Sequence, residues 1–365
     1  MRWRILAQGR RFLCCCDQVV IWYGRPNFCE CGAITLSLLV NATPMRHDFS
    51  TVSATILTLT RPLVVCIVTV LASACANPDV QRAGIGEVIW DVAANHAISA
   101  DLLVERSLAV DFVLLGETHD NPVHHRIQNW LLRKLSSHHE RVSVVMEQYD
   151  FEQQAAIDTA MAADTGALQQ LKQIMATGWD WSQYQPLVAT AKDRHLPLIA
   201  ANLSRNRLQQ VSRKGFAALG AGESSRLRLD DGWTAAQETQ LEQDILDGHC
   251  GMLPATAAAA VARAQRARDA MMADALLQVH SGRAVAIFGR EHVRQDLAVP
   301  LYLAARAPDR RSIVIGLIDS DGHRTPQQEA TGTLGPRYDY LILTKPVQRD
   351  VDPCEGLVMP IATPN

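Results

Sequence analysis

The chain has 365 residues, and 48% of them are hydrophobic, so it has enough apolar material for a sizeable buried core. Its formal net charge is −3, and aromatic residues make up 5% of it. These values exclude the broad basic surface with which nucleic-acid-binding domains neutralise phosphates. We therefore expect no nucleic-acid partner.

Residues 1–44 are predicted to be a non-native extension upstream of the natural start of the protein. They show no strong helical or strand periodicity, and the spacing of their cysteines matches no zinc-binding pattern. Met45 is the better candidate for the first residue. The extension contains five of the nine cysteines of the chain: Cys14, Cys15, Cys16, Cys29 and Cys31.

Residues 45–75 have the order of a secretory signal peptide, with a basic start, an apolar run over residues 63–71 and small residues before Cys75. The run is shorter than the roughly 20 residues that cross a bilayer, so we expect export rather than a permanent transmembrane helix. Cys75 resembles the lipobox cysteine of bacterial lipoproteins, which implies an acylated, membrane-anchored mature protein. Leu71 lies four positions before Cys75 instead of three, so cleavage without acylation and a retained short anchor remain alternatives.

Apolar runs alternate with helix-like segments over residues 84–345, which predicts one large α/β domain with a mainly parallel central sheet flanked by helices. A helix is predicted to begin at Pro122. A long helix is predicted to begin around Pro254 and to carry three arginines, most of which we expect on a solvated face: Arg263, Arg266 and Arg268. The candidate strands are residues 112–115, 142–146, 198–201, 284–288, 312–317 and 338–343.

The end of the chain, residues 346–365, contains four prolines and is predicted to be a flexible tail. Once the signal peptide is removed, Cys250 and the tail's Cys354 are the cysteines that remain behind the mature N-terminus. Two thiols are too few for a disulfide framework. One bridge is compatible with an oxidising compartment, and the sequence does not decide whether it forms.

Two predicted strands end in the same motif, Gly-x-x-His. The strand over residues 112–115 leads to Glu117 and His119, and the strand over residues 284–288 leads to His292. A third strand, over residues 142–146, leads to Glu147. Open α/β sheets bind ligands at the carboxyl edge of their strands, so we expect these histidines and glutamates to converge in one site. A capping or core role for either histidine alone remains an alternative.

These residue types support two chemistries. Imidazoles and carboxylates together suit a divalent transition metal, with the two histidines as ligands and Glu117 or Glu147 as ligand or general base of a hydrolase. Haem instead needs apolar walls, an axial ligand for the iron and cations for the propionates.

Three segments supply candidate haem-binding residues: an aromatic group, a glycine-flanked loop and a pair of arginines suited to propionates. The alternatives are core packing for the aromatic group, an incidental position for the loop residues and surface solvation for the arginines. The candidates are Trp179, Trp181 and Tyr184 in the first segment, His249, Cys250 and Met252 in the second, and Arg290 and Arg294 in the third.

Several motifs occur in a characteristic order: residues 114–120, His124 with His125 and Gln128, residues 144–147, 248–254, 264–269, 271–273 and 288–293. This set resembles the ChaN-type haem-binding lipoprotein family over roughly residues 105–320. That family belongs to a superfamily with the Tiki metalloproteases and the erythromycin esterases.

The resemblance implies an iron-regulated lipoprotein of the outer membrane, facing the periplasm or the cell surface, that binds haem and assists its uptake. It also implies a tyrosine as axial ligand and haem held between the subunits of a homodimer. We select Tyr184, which lies in the aromatic group, and next Tyr149, which follows Glu147 by two positions. The wider superfamily implies metal-dependent hydrolysis through the Gly-x-x-His motifs and the glutamates.

The second motif departs from the family, which commonly has Gly-Asn-Gly-His where this chain has Arg290 and Glu291 between glycine and histidine. Access to His292 is therefore expected to differ. We expect a haem-binding protein rather than an enzyme. A metal-dependent hydrolase is the second hypothesis, and a surface scaffold with a vestigial site is the third.

Overall fold

The computed structural model describes the backbone of residues 5–8, 11–16 and 19–22, and the full residues 87–138, 141–250, 252–280, 282–332, 334, 337–349 and 354. The chain divides into two compact units, residues 1–75 and residues 76–365. The predicted signal peptide, including Cys75, lies outside the described residues, so acylation stays a prediction.

The first unit contains a small antiparallel sheet that the sequence analysis did not anticipate. Its strands are β1 (Ile5–Gln8), β2 (Arg11–Cys16) and β3 (Val19–Trp22), paired in that order. The cysteine triplet therefore lies on β2. That residues 1–44 are a non-native extension remains a prediction.

The second unit is built on an eight-stranded sheet with the order β5-β4-β11-β10-β6-β9-β7-β8. The six strands from β11 to β8 are parallel, and β4 and β5 add to one side antiparallel. This confirms the predicted α/β fold with a mainly parallel sheet. The strands are β4 (Val88–Asp91), β5 (His96–Ile98), β6 (Phe112–Glu117), β7 (Val142–Asp150), β8 (Leu198–Asn202), β9 (Arg283–Gly289), β10 (Ser312–Asp319) and β11 (Tyr340–Thr344).

Helices cover both faces of this sheet. Side chains of β6 alternate between two apolar clusters, with Val113 and Leu115 in one and Phe112 and Leu114 in the other, so the sheet is buried on both sides. The helices are α1 (Ala100–Leu108), α2 (Pro122–Leu135), α3 (Gln154–Ala162), α4 (Ala167–Ile174), α5 (Trp181–Asp193), α6 (Arg205–Lys214), α7 (Ala221–Leu227), α8 (Ala235–Gly248), α9 (Ala255–Leu277), α10 (Val299–Arg306) and α11 (Pro326–Thr331).

Two helix predictions can be compared with the structure. Helix α2 begins at Pro122 as predicted, with the side chain of Asn121 accepting a hydrogen bond from the Val123 amide. On α9, however, the expectation of a solvated arginine face is wrong for Arg266, which is buried. Its guanidinium pairs with Asp230 and Glu238, each at 2.9 Å, so burial is offset by ion pairs.

Two residues of the predicted flexible tail are bonded to the domain. Arg349 donates two hydrogen bonds of 2.7 Å to the carboxylate of Asp120, and Cys354 forms a disulfide with Cys250. The rest of the tail beyond Arg349 lies outside the described residues. Within the part of the chain that is described, no helix is long and apolar enough to cross a membrane.

Candidate functional site

Three neighbouring strands deliver the predicted site residues to one edge of the sheet. Strand β9 lies between β6 and β7, and Glu117 at the end of β6 is in register with Gly289 at the end of β9. Glu147 lies on β7, and His292 lies in a short 3-10 turn directly after β9. The structure thus brings together the residues of both Gly-x-x-His motifs and both glutamates.

Glu117 is the buried carboxylate on which the first half of the site is organised. The His119 ring places Nδ1 3.1 Å from Glu117 Oε1, and His125 Nε2 lies 3.3 Å from Oε2. Although burial alone would raise its pKa, these two imidazoles lower the pKa of Glu117 to about 2. The group is therefore an anion at neutral pH.

His119 is the open member of the site, with 49% of its side chain exposed. Its ring meets the edge of Trp179 in a T-shaped contact, with 4.8 Å between ring centres. Burial by itself would lower its pKa, but Glu117 and Glu147 raise the pKa of His119 overall. The site therefore has an accessible imidazole on one side, which a carboxylate orients and an aromatic ring contacts.

Glu147 and His292 form the second half. Glu147 Oε1 accepts a 2.6 Å hydrogen bond from the amide of Gly289, and its Oε2 lies 3.4 Å from His292 Nε2. On the other side of the ring, His292 Nδ1 lies 2.5 Å from Asp269 Oδ1. Burial lowers the pKa of His292 to about 4. It also raises the pKa of Asp269, although the nearby arginines oppose this.

The two tyrosines that the sequence analysis selected are both closed to ligands in this structure. The Tyr184 hydroxyl donates a 2.5 Å hydrogen bond to Glu117 Oε1, and its side chain is buried beneath the site. Tyr149 is buried as well and donates to the carbonyl of Leu171 at 3.3 Å. Burial raises the pKa of both phenols, so both are held in the protonated form.

The remaining predicted residues have other surroundings. His249 ends α8, and its Nδ1 lies 2.6 Å from the carbonyl of Ile245, while the adjacent Cys250 is held in the disulfide. Arg290 pairs with Glu291 at 3.4 Å. That Arg294 meets an anionic ligand stays a prediction; in this structure it is buried, and its guanidinium is shared by three carboxylates. These carboxylates belong to Asp244, Glu291 and Asp296.

Sequence reasoning assigned no role to three residues that support the site: His125, Gln265 and Asp269. Gln265 Nε2 lies 3.0 Å from His292 Nδ1, and Asp269 lies one helical turn further along α9. The signal for Asp269 was an acidic residue at helical spacing with Ala262, Arg266 and Ala273, all of which are buried. A carboxylate buried in such a stripe needs a partner, which is His292.

Gly289 allows the two halves of the site to approach each other. A Cβ at this position would lie 2.7 Å from His119 Cε1 and 3.4 Å from Glu147 Oε1. Any larger residue would therefore displace the His119 ring. The glycine of the second motif is required by this close approach and not by its turn alone.

The donor set fits a metal ion to a limited extent. Atoms of Glu117, His119 and Glu147 all lie within 4.8 Å of one another, and carboxylate oxygen with imidazole nitrogen suits a divalent transition metal. The set also fits haem, because His119 offers an imidazole whose Nδ1 is held by a carboxylate, the usual arrangement for a metal-ligating histidine.

Two cavities in the described part of the chain have no His119 in their lining. The larger, of about 430 Å³, lies at the opposite edge of the sheet between Asp91, Arg106 and Tyr340. The other, of about 300 Å³, is bordered by His125 and Gln183, behind Glu117. A planar ligand of the size of haem would reach His119 from the half of its side chain that is exposed to solvent.

The fold and the site together define an α/β protein with a histidine and carboxylate site at the carboxyl edge of a mainly parallel sheet. The family described as haem-binding uptake, Tiki superfamily, ChaN matches residues 103–303. The chain belongs to this family. No curated protein matches it.

Two of the solved structures that are similar to this chain match it to different extents. A ChaN of Campylobacter jejuni, described with cofacial haem binding, is similar with a TM-score of 0.58 and 21% identity, over 70% of this chain and 96% of that one. A mutant erythromycin esterase in its open conformation is similar with a TM-score of 0.38 and 14% identity, over 67% of this chain and 78% of that one. The Campylobacter structure confirms the α/β fold.

Proposed function

We propose that this protein is an exported haem-binding lipoprotein that assists haem or iron uptake and holds haem at the carboxyl edge of its sheet. Membership of the haem-binding uptake family supports the ligand class. The observation that carries the proposal is His119, an accessible imidazole fixed by the carboxylate of Glu117 and flanked by Trp179. Haem supplies the iron that such an imidazole ligates and a planar face that an aromatic ring packs against.

The location and assembly are part of the same proposal. A disulfide between Cys250 and Cys354 is typical of proteins exported to an oxidising compartment, and Cys75 provides the lipid anchor to the outer membrane. The cofacial haem binding of the Campylobacter ChaN supports a homodimer with haem between the subunits. An open His119 face is compatible with such a shared site.

In this proposal His119, and not Tyr184, faces the iron. For Tyr184 to serve as ligand, its hydrogen bond to Glu117 would have to break and the phenol would have to lose its proton and become exposed. His119 is already half-exposed and keeps its contact with Glu117 when its other ring nitrogen faces the iron. The tyrosine ligand that the family resemblance implies remains the competing prediction.

A haemin titration of the purified full chain, followed by absorbance, tests the proposal. We expect a saturable Soret shift, a weakening of at least about 100-fold in His119→Ala because a metal ligand is lost, and little change in Tyr184→Phe. Absence of a saturable shift in the unaltered protein would refute haem binding. A tyrosinate-type charge-transfer band that disappears in Tyr184→Phe would assign the ligand to tyrosine instead.

Gly289→Ala is expected to weaken haemin binding by about tenfold or more, because the new Cβ displaces the His119 ring from Glu117. The ring is half-exposed and can swing outward, so the urea midpoint of unfolding should change little. Gly222→Ala is the matched control, since a Cβ there meets nothing within 4 Å. Equal haemin affinities of the two variants would contradict the role of Gly289.

A metal-dependent hydrolase is the second candidate function, favoured by the grouping of Glu117, His119 and Glu147. Metal analysis of the same preparation separates the two candidates. Stoichiometric bound transition metal that is lost in Glu147→Gln, together with no haemin binding, would favour the hydrolase. Haemin binding that is unchanged by prior chelation would count against it.

A further inference from the structure

Helix α9 presents a polar face to the site. Gln265 and Asp269, one helical turn apart, both contact the ring of His292, at 3.0 and 2.5 Å. Arg268 follows Gln265 by three positions and directly precedes Asp269, so the helix places it next to these two contacts. Arg268 therefore belongs to the part of α9 that borders the carboxyl edge of the sheet.

Arg268 has no hydrogen bond or ion pair with any residue that the structure describes, although its side chain is partly buried and its Nε is fully shielded from solvent. Two buried arginines of the same domain do have carboxylate partners. Arg266 pairs with two carboxylates, and Arg294 pairs with three. A shielded Nε without an acceptor is costly, and the guanidinium of Arg268, unlike those of Arg266 and Arg294, is left free for an anionic partner from outside the fold.

The charge of Arg268 affects the pKa values of several groups in the site. It helps burial to lower the pKa of His292, and it opposes the rise in the pKa of His119 and of Asp269. It also acts on Asp150 at the end of β7, without an ion pair between them. Its position on α9 puts Arg268 beside the two residues that contact His292, and its charge acts on both imidazoles.

We propose that Arg268 is an anion-binding residue of this site and takes a carboxylate of the bound ligand, which is a propionate if the proposed haem function holds. A planar guanidinium with paired N–H groups matches a carboxylate in a bidentate manner. This assignment replaces Arg294, whose guanidinium is already saturated by its own carboxylates. It also gives a reason for an unpaired arginine beside two imidazoles.

The test compares haemin with haemin dimethyl ester, which lacks propionate charges, on the full chain and two variants. Arg268→Gln should weaken haemin binding by about tenfold to a hundredfold, as for the loss of a charge-assisted hydrogen bond, and should leave ester binding unchanged. Arg268→Lys should restore part of the affinity as a point charge. Inorganic phosphate should compete with haemin in the unaltered protein and less in Arg268→Gln.

Arg263→Gln is the matched control on the same helix, because Arg263 already donates to the carbonyl of Ser212. It should leave the ratio of haemin to ester affinity unchanged. The inference is overturned if Arg268→Gln also leaves that ratio unchanged while the unaltered protein binds haemin. If the unaltered protein binds neither porphyrin, the proposed function itself has failed, and the propionate assignment falls with it.

Discussion

Replacing both Cys250 and Cys354 with serine is expected to lower the free energy of unfolding by about 4 to 5 kcal/mol, because the bridge closes a loop of roughly a hundred residues in the unfolded chain. The two cysteines are separated by 104 positions, and their Cα atoms lie 5.8 Å apart. Urea unfolding of the double variant and the unaltered protein measures the difference. The variant should also gain freedom in the segment around Arg349.

Reduction provides the control for this prediction. The unaltered protein under a thiol reductant should unfold at the midpoint of the double variant, because both lack the same cross-link. A reduced protein that keeps the oxidised midpoint, or a double variant as stable as the unaltered protein, would show that the bridge contributes no stability. A single Cys250→Ser variant should behave as the double variant does.

The fold was predictable where strands are buried on both faces. Each of the six parallel strands reads as an apolar run, because helices cover both sides of the sheet. Strands β4 and β5 were missed for the opposite reason. They pair at the side of the sheet, and β5 has three residues that are exposed or half-buried, so their pattern is too short and too polar to stand out.

The site was predictable where it depends on strand ends and unpredictable where it depends on helices. The two glutamates and the two motif histidines lie on parallel strands or directly after them, so the topology alone brings them together. Asp269 comes from α9, and its contact with His292 depends on how that helix packs. The closure of Tyr184 beneath Glu117 is likewise a tertiary contact over 67 positions, which local patterns do not encode.

His124 gives the domain an acid sensitivity that does not involve the exposed edge of the site. The ring is fully buried, and its Nδ1 accepts a 2.9 Å hydrogen bond from the amide of Thr118, while its Nε2 faces the hydroxyl of Thr344 at 2.8 Å. An acceptor nitrogen cannot carry a proton, so the fold selects the neutral ring protonated on Nε2.

Burial is the largest cause that lowers the pKa of His124 from 6.5 to about 4. The charges of Asp319 and Glu117 oppose this shift, and those of His125 and Arg290 add to it. A histidine whose pKa is lowered on folding contributes its full stability above pH 6.5, and that contribution is lost as the pH falls towards 4. At about 1.4 kcal/mol per pKa unit, the loss is about 3 kcal/mol.

His124→Asn tests this expectation, because the asparagine oxygen can still accept from the Thr118 amide but does not titrate. The variant should be less stable at pH 7 and should lose less of its free energy of unfolding between pH 6.5 and 4 than the unaltered protein does. The dependence that remains comes from the other groups with shifted pKa values, among them His292, whose pKa burial also lowers to about 4. His323→Asn, at a side chain that is 87% exposed, should keep the full dependence. Equal pH profiles for His124→Asn and the unaltered protein would show that His124 is protonated in the fold, and the hydrogen bond from Thr118 would then have to be absent in solution.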